Sequence, residues 1–150
     1  MEDPGDVLAD AVDEVLAAWV ERSVDRIVTA YRGRVPDGVH AAAREAGTAA
    51  RASVGVELRR FLAMDVDDQR TNPLTILRRA VRYPTAVLHD AGVPEVVREE
   101  FRERAFPEDV YDLSPATWGD VDESLQEPGL IWGAWKAKTV LERRRAEGRR

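Results

Sequence analysis

Three aspartates and an arginine lie close together near the middle of the chain, at Asp65, Asp67, Asp68 and Arg70. Neighbouring carboxylates offer the oxygen ligands that Mg²⁺ and Ca²⁺ prefer, and their mutual repulsion can separate their pKa values for acid–base chemistry. The segment does not fit a calcium-binding EF-hand loop, because Gln69 stands at the third ligand position and Arg70 at the glycine position. A small-ligand site or a metal-dependent enzyme built on these residues is therefore one hypothesis.

The same segment has a second interpretation, as a structured connection between two helices. Asn72 precedes Pro73, an order typical of a helix cap followed by the first helical residue. If the preceding helix continues to about residue 64, the aspartates crowd its C-terminal end, where the helix dipole disfavours each negative charge by roughly a few tenths of a kcal/mol. We therefore expect arginines, and not a metal, to hold the aspartates. The candidate cations are Arg70, Arg78, Arg79 and Arg82.

The elements that position this segment are predicted to be helices. Apolar side chains recur at spacings of three and four over about residues 5–32, which indicates a long amphipathic helix. A second stripe with the same spacing covers about residues 37–64, and its first half is nearly all alanine, so another helix can approach it closely. We predict that these two long helices form an antiparallel hairpin.

Prolines divide the second half of the chain into shorter helices. Pro84 restricts the backbone before it, so we expect a kink or a new helix there. Gly92 is placed to end that helix, and Pro94 is placed to begin the next one. No convincing alternation of β-branched residues indicates a strand. We therefore predict an all-α fold in which the hairpin packs with three to five shorter helices.

Length and composition favour one globular domain over residues 1–150, with 44% hydrophobic residues available for its core. The absence of cysteine excludes a thiolate zinc site and a thiol nucleophile, and no glycine-rich phosphate loop is found, so we expect no cofactor.

No apolar run could span a membrane, and the acidic N-terminal segment does not resemble a signal peptide. A cytoplasmic protein with no membrane partner is expected, and twenty arginines against two lysines are typical of a GC-rich bacterial genome.

Charge is distributed unevenly along the chain, whose net charge is −6. Residues 95–127 carry eleven acidic against three basic residues, a net of −8, whereas residues 128–150 carry seven basic against two acidic residues, a net of +5. The overall negative charge argues against a nucleic-acid binder, because neutralisation of phosphates supplies most of that affinity. An RNA contact is left only to the basic tail at about residues 143–150, which we expect to be frayed.

Tryptophan and arginine dominate the energetic centres of protein interfaces, and both are enriched here. Trp132 and Trp135 flank Gly133, which would let a second backbone come close. Since no catalytic constellation is evident, an enzyme is the less favoured hypothesis, and we expect an interaction or regulatory module whose partner is another protein, with a homodimer also compatible. The candidate interaction residues are Asp65, Asp67, Asp68, Arg70, Arg78, Arg79, Arg82, Trp132 and Trp135.

Overall fold

A computed structural model describes residues 2–95, 109–115 and 117–148 of the chain. The helices in these ranges are α1 (Pro4–Arg32), α2 (Asp37–Ala50), α3 (Val56–Ala63), α4 (Pro73–Arg78), α5 (Arg82–Asp90), α6 (Trp118–Val121) and α7 (Gln126–Gly148). A π-helical turn over Arg51–Gly55 joins α2 to α3, and short 3₁₀ turns cover Val66–Asp68, Arg79–Val81 and Glu123–Leu125. The described ranges contain no strand, which confirms the predicted all-α fold. Pro94 and Glu95 are described and not helical, and the rest of the helix expected to begin at Pro94 lies outside those ranges.

Helix α1 is delimited by the signals that its sequence carries. The Asp3 carboxylate accepts a hydrogen bond of 3.1 Å from the backbone N–H of Gly5, which caps the first turn. Gly33 ends the helix with φ of 82°, a left-handed conformation that favours glycine. One face of the helix is buried along its whole length. Its members include Leu8, Val12, Leu16, Val20, Val24 and Val28.

Helix α1 packs against the continuous helical segment formed by α2, the π turn and α3. The two backbones come close at Gly47, where an added Cβ would lie only 2.9 Å from the carbonyl oxygen of Ala17. A side chain at this position would force the two helices apart, so the small residues of α2 do permit a close approach. Later residues of one segment lie beside earlier residues of the other. The paired positions are Gly5 with Leu62, Asp13 with Arg59, Ala17 with Gly47 and Asp25 with His40.

The start of α4 and the end of α5 are set by residues that the sequence singled out. The Asn72 side chain accepts a hydrogen bond of 3.0 Å from the N–H of Leu74 and caps α4, as predicted. A new helix, α5, begins two residues before Pro84. Gly92 follows its end with φ of 74°, and the N–H groups of Gly92 and Val93 bond back to the last turn, each at 3.0 Å.

Two hydrophobic clusters form the core. The first joins α1, α3, α4 and α7 and includes Leu16, Leu58, Leu77 and Trp132. The second joins α1, α2 and α5 to the segment before α6 and includes Val28, Ala43, Leu88 and Tyr111. The Tyr111 hydroxyl donates a hydrogen bond of 2.8 Å to the carbonyl of Val93, and burial raises the pKa of this phenol. In the part of the chain described, no helix combines the length and the apolar character of a membrane span.

Candidate functional site

The segment between α3 and α4 is a folded elbow. The Asp65 carboxylate accepts a hydrogen bond of 3.1 Å from the backbone N–H of Asp67 and so opens the 3₁₀ turn. The Gln69 side-chain amide reaches back to the end of α3, where it donates to the carbonyls of Phe61 at 3.1 Å and Met64 at 3.2 Å. Backbone groups that the helix end leaves open are therefore satisfied within the elbow itself.

A single arginine of α7 forms ion pairs with two of the three aspartates. The guanidinium of Arg143 lies 2.7 Å from Oδ1 of Asp65 and 2.6 Å from Oδ2 of Asp67. The pKa of Asp65 is lowered, first by the hydrogen bond from the Asp67 amide and then by Arg143. The same contacts raise the pKa of Arg143. A cation from the far end of the sequence thus lies between two carboxylates of the elbow.

The arginine beside Asp65 and Asp67 is Arg143, which is not among the four predicted candidates. Arg79 pairs with Glu57 of α3, and Arg70 and Arg82 are exposed. The reason is the path of the chain, because α7 returns to the elbow and places Arg143 beside it. The basic tail, expected to be frayed, is helical as far as Gly148 and begins with this ion-paired residue.

Both predicted tryptophans contact the same lysine of α7. The Nζ atom of Lys136 lies 5.1 Å from the ring centres of both Trp132 and Trp135. Such a contact between an ammonium group and aromatic faces is attractive. Burial lowers the pKa of Lys136, against the opposing effect of the carboxylates of Asp3 and Asp65. The inner face of α7 therefore contacts the elbow through charge as well as through packing.

Trp132 anchors α7 in the core. Its side chain is only 8% exposed and meets the ring of Trp118 edge to face at 6.3 Å. Among the described residues nothing lies close to Gly133, where an added Cβ would meet no atom within 4 Å. At Gly129 the Trp118 side chain is close, and an added Cβ would lie 2.5 Å from its Cδ1. The two glycines lie on the same side of α7, and Gly133 is one helical turn further from Trp118.

Sequence reasoning missed Lys136 and Arg143, although their spacing carries a signal. Both follow Trp132 at intervals that keep a side chain on the same helical face. The structure thus brings Asp65 and Asp67 together at Arg143, and Trp132 and Trp135 together at Lys136. Asp68, Arg70 and Arg82 are exposed, and Arg79 is occupied by Glu57.

The opposite side of α7 is a continuous exposed stripe, which we name the outer face. It is formed by Glu127, Leu130, Ala134, Ala137, Leu141 and Arg144, all of them exposed. Leu130 is 69% exposed and Leu141 is 53% exposed. The two other large apolar side chains exposed on α7, Ile131 and Trp135, lie beside this stripe. A helix whose inner face is fixed and whose outer face is apolar offers a surface for another molecule.

The histidines of the described ranges have acidic neighbours. His40 lies 3.5 Å from Asp25, and His89 lies 2.9 Å from Glu95. Among the residues that the structure describes, no group of three or more histidine, cysteine or acidic side chains is placed to hold a metal ion.

No protein-family model, curated protein or solved structure matches the chain.

Proposed function

We propose that this protein is an interaction module that docks another protein chain on the outer face of α7. The observation that carries the proposal is the exposure of Leu130 and Leu141, at 69% and 53%, on a helix whose other side is packed. Each fully buried leucine is worth about 1.5–3 kcal/mol relative to an exposed one. Covering this face would recover part of that free energy, and a partner chain is the means to cover it.

The inner face of α7 supports the proposal, because it holds the helix in place before any partner arrives. Trp132 packs into the core, and Arg143 binds the elbow through Asp65 and Asp67. A surface that is already ordered loses little conformational freedom on binding. In this proposal the aspartates orient α7, and they are not the ligand site of an enzyme.

Charge at the two ends of the outer face gives it a direction. Glu127 stands at the N-terminal end and Arg144 at the C-terminal end, and both are exposed. Charged rims of this kind select partners and fix their orientation more than they add affinity. We place the interaction in a reducing cytoplasm, in keeping with a chain that has no cysteine.

The proposal is tested with two double variants that carry the same change in charge. L130E/L141E places carboxylates on the outer face, whereas Y31E/V56E places them at two exposed apolar side chains elsewhere, of 53% and 48% exposure. Circular dichroism and thermal unfolding first establish that both variants fold. Each chain is then expressed with an affinity tag at native level in its host and captured after chemical crosslinking.

We expect wild type and Y31E/V56E to retain the same stoichiometric partner, either another protein or an untagged copy of the chain, and L130E/L141E to lose it. The loss must reappear when the purified partner is titrated in a calorimeter. The proposal is overturned if no captured protein distinguishes L130E/L141E from wild type. It is equally overturned if the partner is lost from Y31E/V56E and retained by L130E/L141E.

A further inference from the structure

We infer that the partner of the outer face is a second copy of this chain, bound antiparallel along α7. The inference rests on the proposed function, and it adds the identity of the partner and its orientation. It follows from the order of side chains along the outer face. Its apolar residues follow the order Leu, Ala, Ala, Leu in both directions, and its two ends carry opposite charges.

The outer face has the spacing of a coiled-coil seam. Its six residues follow one another at alternating intervals of three and four, from Glu127 to Arg144. Side chains at these intervals form one stripe along a helix and can interlock with the equivalent stripe of a second helix. The buried residues Gly129 and Trp132 lie on the other side of α7, so such a pairing would leave the core packing intact.

The stripe is complementary to itself in the antiparallel direction. A two-fold axis between Ala134 and Ala137 would place Ala134 opposite the partner's Ala137, and Ala137 opposite the partner's Ala134. The same axis would place Leu130 opposite the partner's Leu141, and Leu141 opposite the partner's Leu130. A two-fold symmetric interface requires this reciprocity, in which each residue contacts the position that contacts it in return. Small side chains at the centre would let the two helices come close.

Charge selects the antiparallel orientation. With the leucines paired as above, Glu127 meets the partner's Arg144, and by symmetry the same ion pair forms at the other end. A parallel arrangement would instead place each of these charges beside its own copy. Opposite charges across a helix pair are favourable, and like charges are unfavourable. Arg145, exposed one residue further on, adds to the repulsion in the parallel case.

The interface is a single helical face, so it belongs to the small end of the range for specific protein contacts. We therefore expect a dimer that forms with increasing protein concentration and dissociates on dilution. Sedimentation equilibrium on the purified full chain measures this directly. Wild type and Y31E/V56E should shift from monomer to dimer mass as concentration rises, and L130E/L141E should stay monomeric over the same range.

Orientation is tested with cysteine pairs, because the chain has no cysteine of its own. The variants are L130C and L141C, each studied alone and as an equal mixture under mild oxidation. In an antiparallel dimer, positions 130 of the two chains are about 16 Å apart along the axis, too far for a disulfide. Position 130 of one chain and position 141 of the other are adjacent.

We expect a disulfide-linked dimer in the mixture and at most a trace with either variant alone. A dimer that links as readily in each variant alone overturns the antiparallel orientation. A wild-type chain that stays monomeric at several hundred micromolar overturns the inference as a whole. If that monomer still binds a different protein that L130E/L141E loses, the proposed function stands and only the second copy is ruled out.

Discussion

The guanidinium of Arg143 lies 2.7 Å from Oδ1 of Asp65, and this pair fixes the C-terminal helix to the elbow between α3 and α4. The contact joins the basic end of the sequence to a cluster of acidic residues near its middle. It also orients α7, because Trp132 on the same inner face is buried in the core. The exposed side chains of Leu130 and Leu141 therefore point away from the domain, on a helix that is held at Trp132 and at Arg143.

Removing either member of this pair should lower stability slightly, and removing both should cost no more than the larger single change. The variants are Asp65→Asn, Arg143→Gln and their combination. The stability effects of two residues that share one interaction do not add. In thermal unfolding the double variant should therefore lose less stability than the sum of the two single variants. Arg145→Gln, a neighbouring change on an exposed residue, is the control and should leave the melting temperature unchanged. Strictly additive effects would contradict the pairing.

The effect of Asp65→Asn should depend on pH in a defined direction. The pKa of Asp65 is lowered in the folded chain from an ordinary value of 3.8. Its charge therefore stabilises the fold above that value, and the contribution is lost as pH falls through the lower folded pKa. The melting temperature of wild type should exceed that of Asp65→Asn at neutral pH, and the difference should shrink below about pH 3.8. A difference that grows on acidification would contradict this assignment.

Asn72 should contribute to stability as a helix cap. Its side chain accepts the N–H of Leu74 at 3.0 Å, and Ala in its place leaves that donor without the bond. Asn72→Ala should cost about 0.5–2 kcal/mol in the free energy of unfolding, as other cap removals do. Thr71→Ala, at the exposed preceding residue, is the matched control and should change much less. Equal losses from the two variants would show that the cap has no special role.

Substitution by alanine should have opposite effects on stability at the two glycines of α7, Gly129 and Gly133. Gly133→Ala adds a methyl group in open space and should stabilise the helix by up to about 1 kcal/mol. Gly129→Ala places its methyl group against Trp118 and should destabilise by roughly 1–3 kcal/mol, as overpacking does. Chemical denaturation of both variants measures the difference. The position assigned to the Trp118 ring, against Gly129 and away from Gly133, would be wrong if the order were reversed.

Local signals in the sequence were sufficient for several of the helix ends. Asp3, Asn72 and Gly92 act on backbone groups within a few residues, so their roles follow from residue type and order. The partner of Asp65 did not follow in this way, because Arg143 reaches it only once α7 has packed across α1. Gly133 was chosen for its position between two tryptophans, whereas the approach of Trp118 to Gly129 depends on where α6 lies.

The most direct measurement of docking along the outer face is a charge exchange at its two ends. Glu127→Arg and Arg144→Glu each replace the expected pair with like charges, so each should weaken the dimer in low salt. The double variant E127R/R144E restores opposite charges in an antiparallel dimer. Sedimentation equilibrium should then give two weakened single variants and a double variant whose association returns towards wild type. Single variants that associate like wild type, or a double variant that associates no better than either of them, would contradict this arrangement.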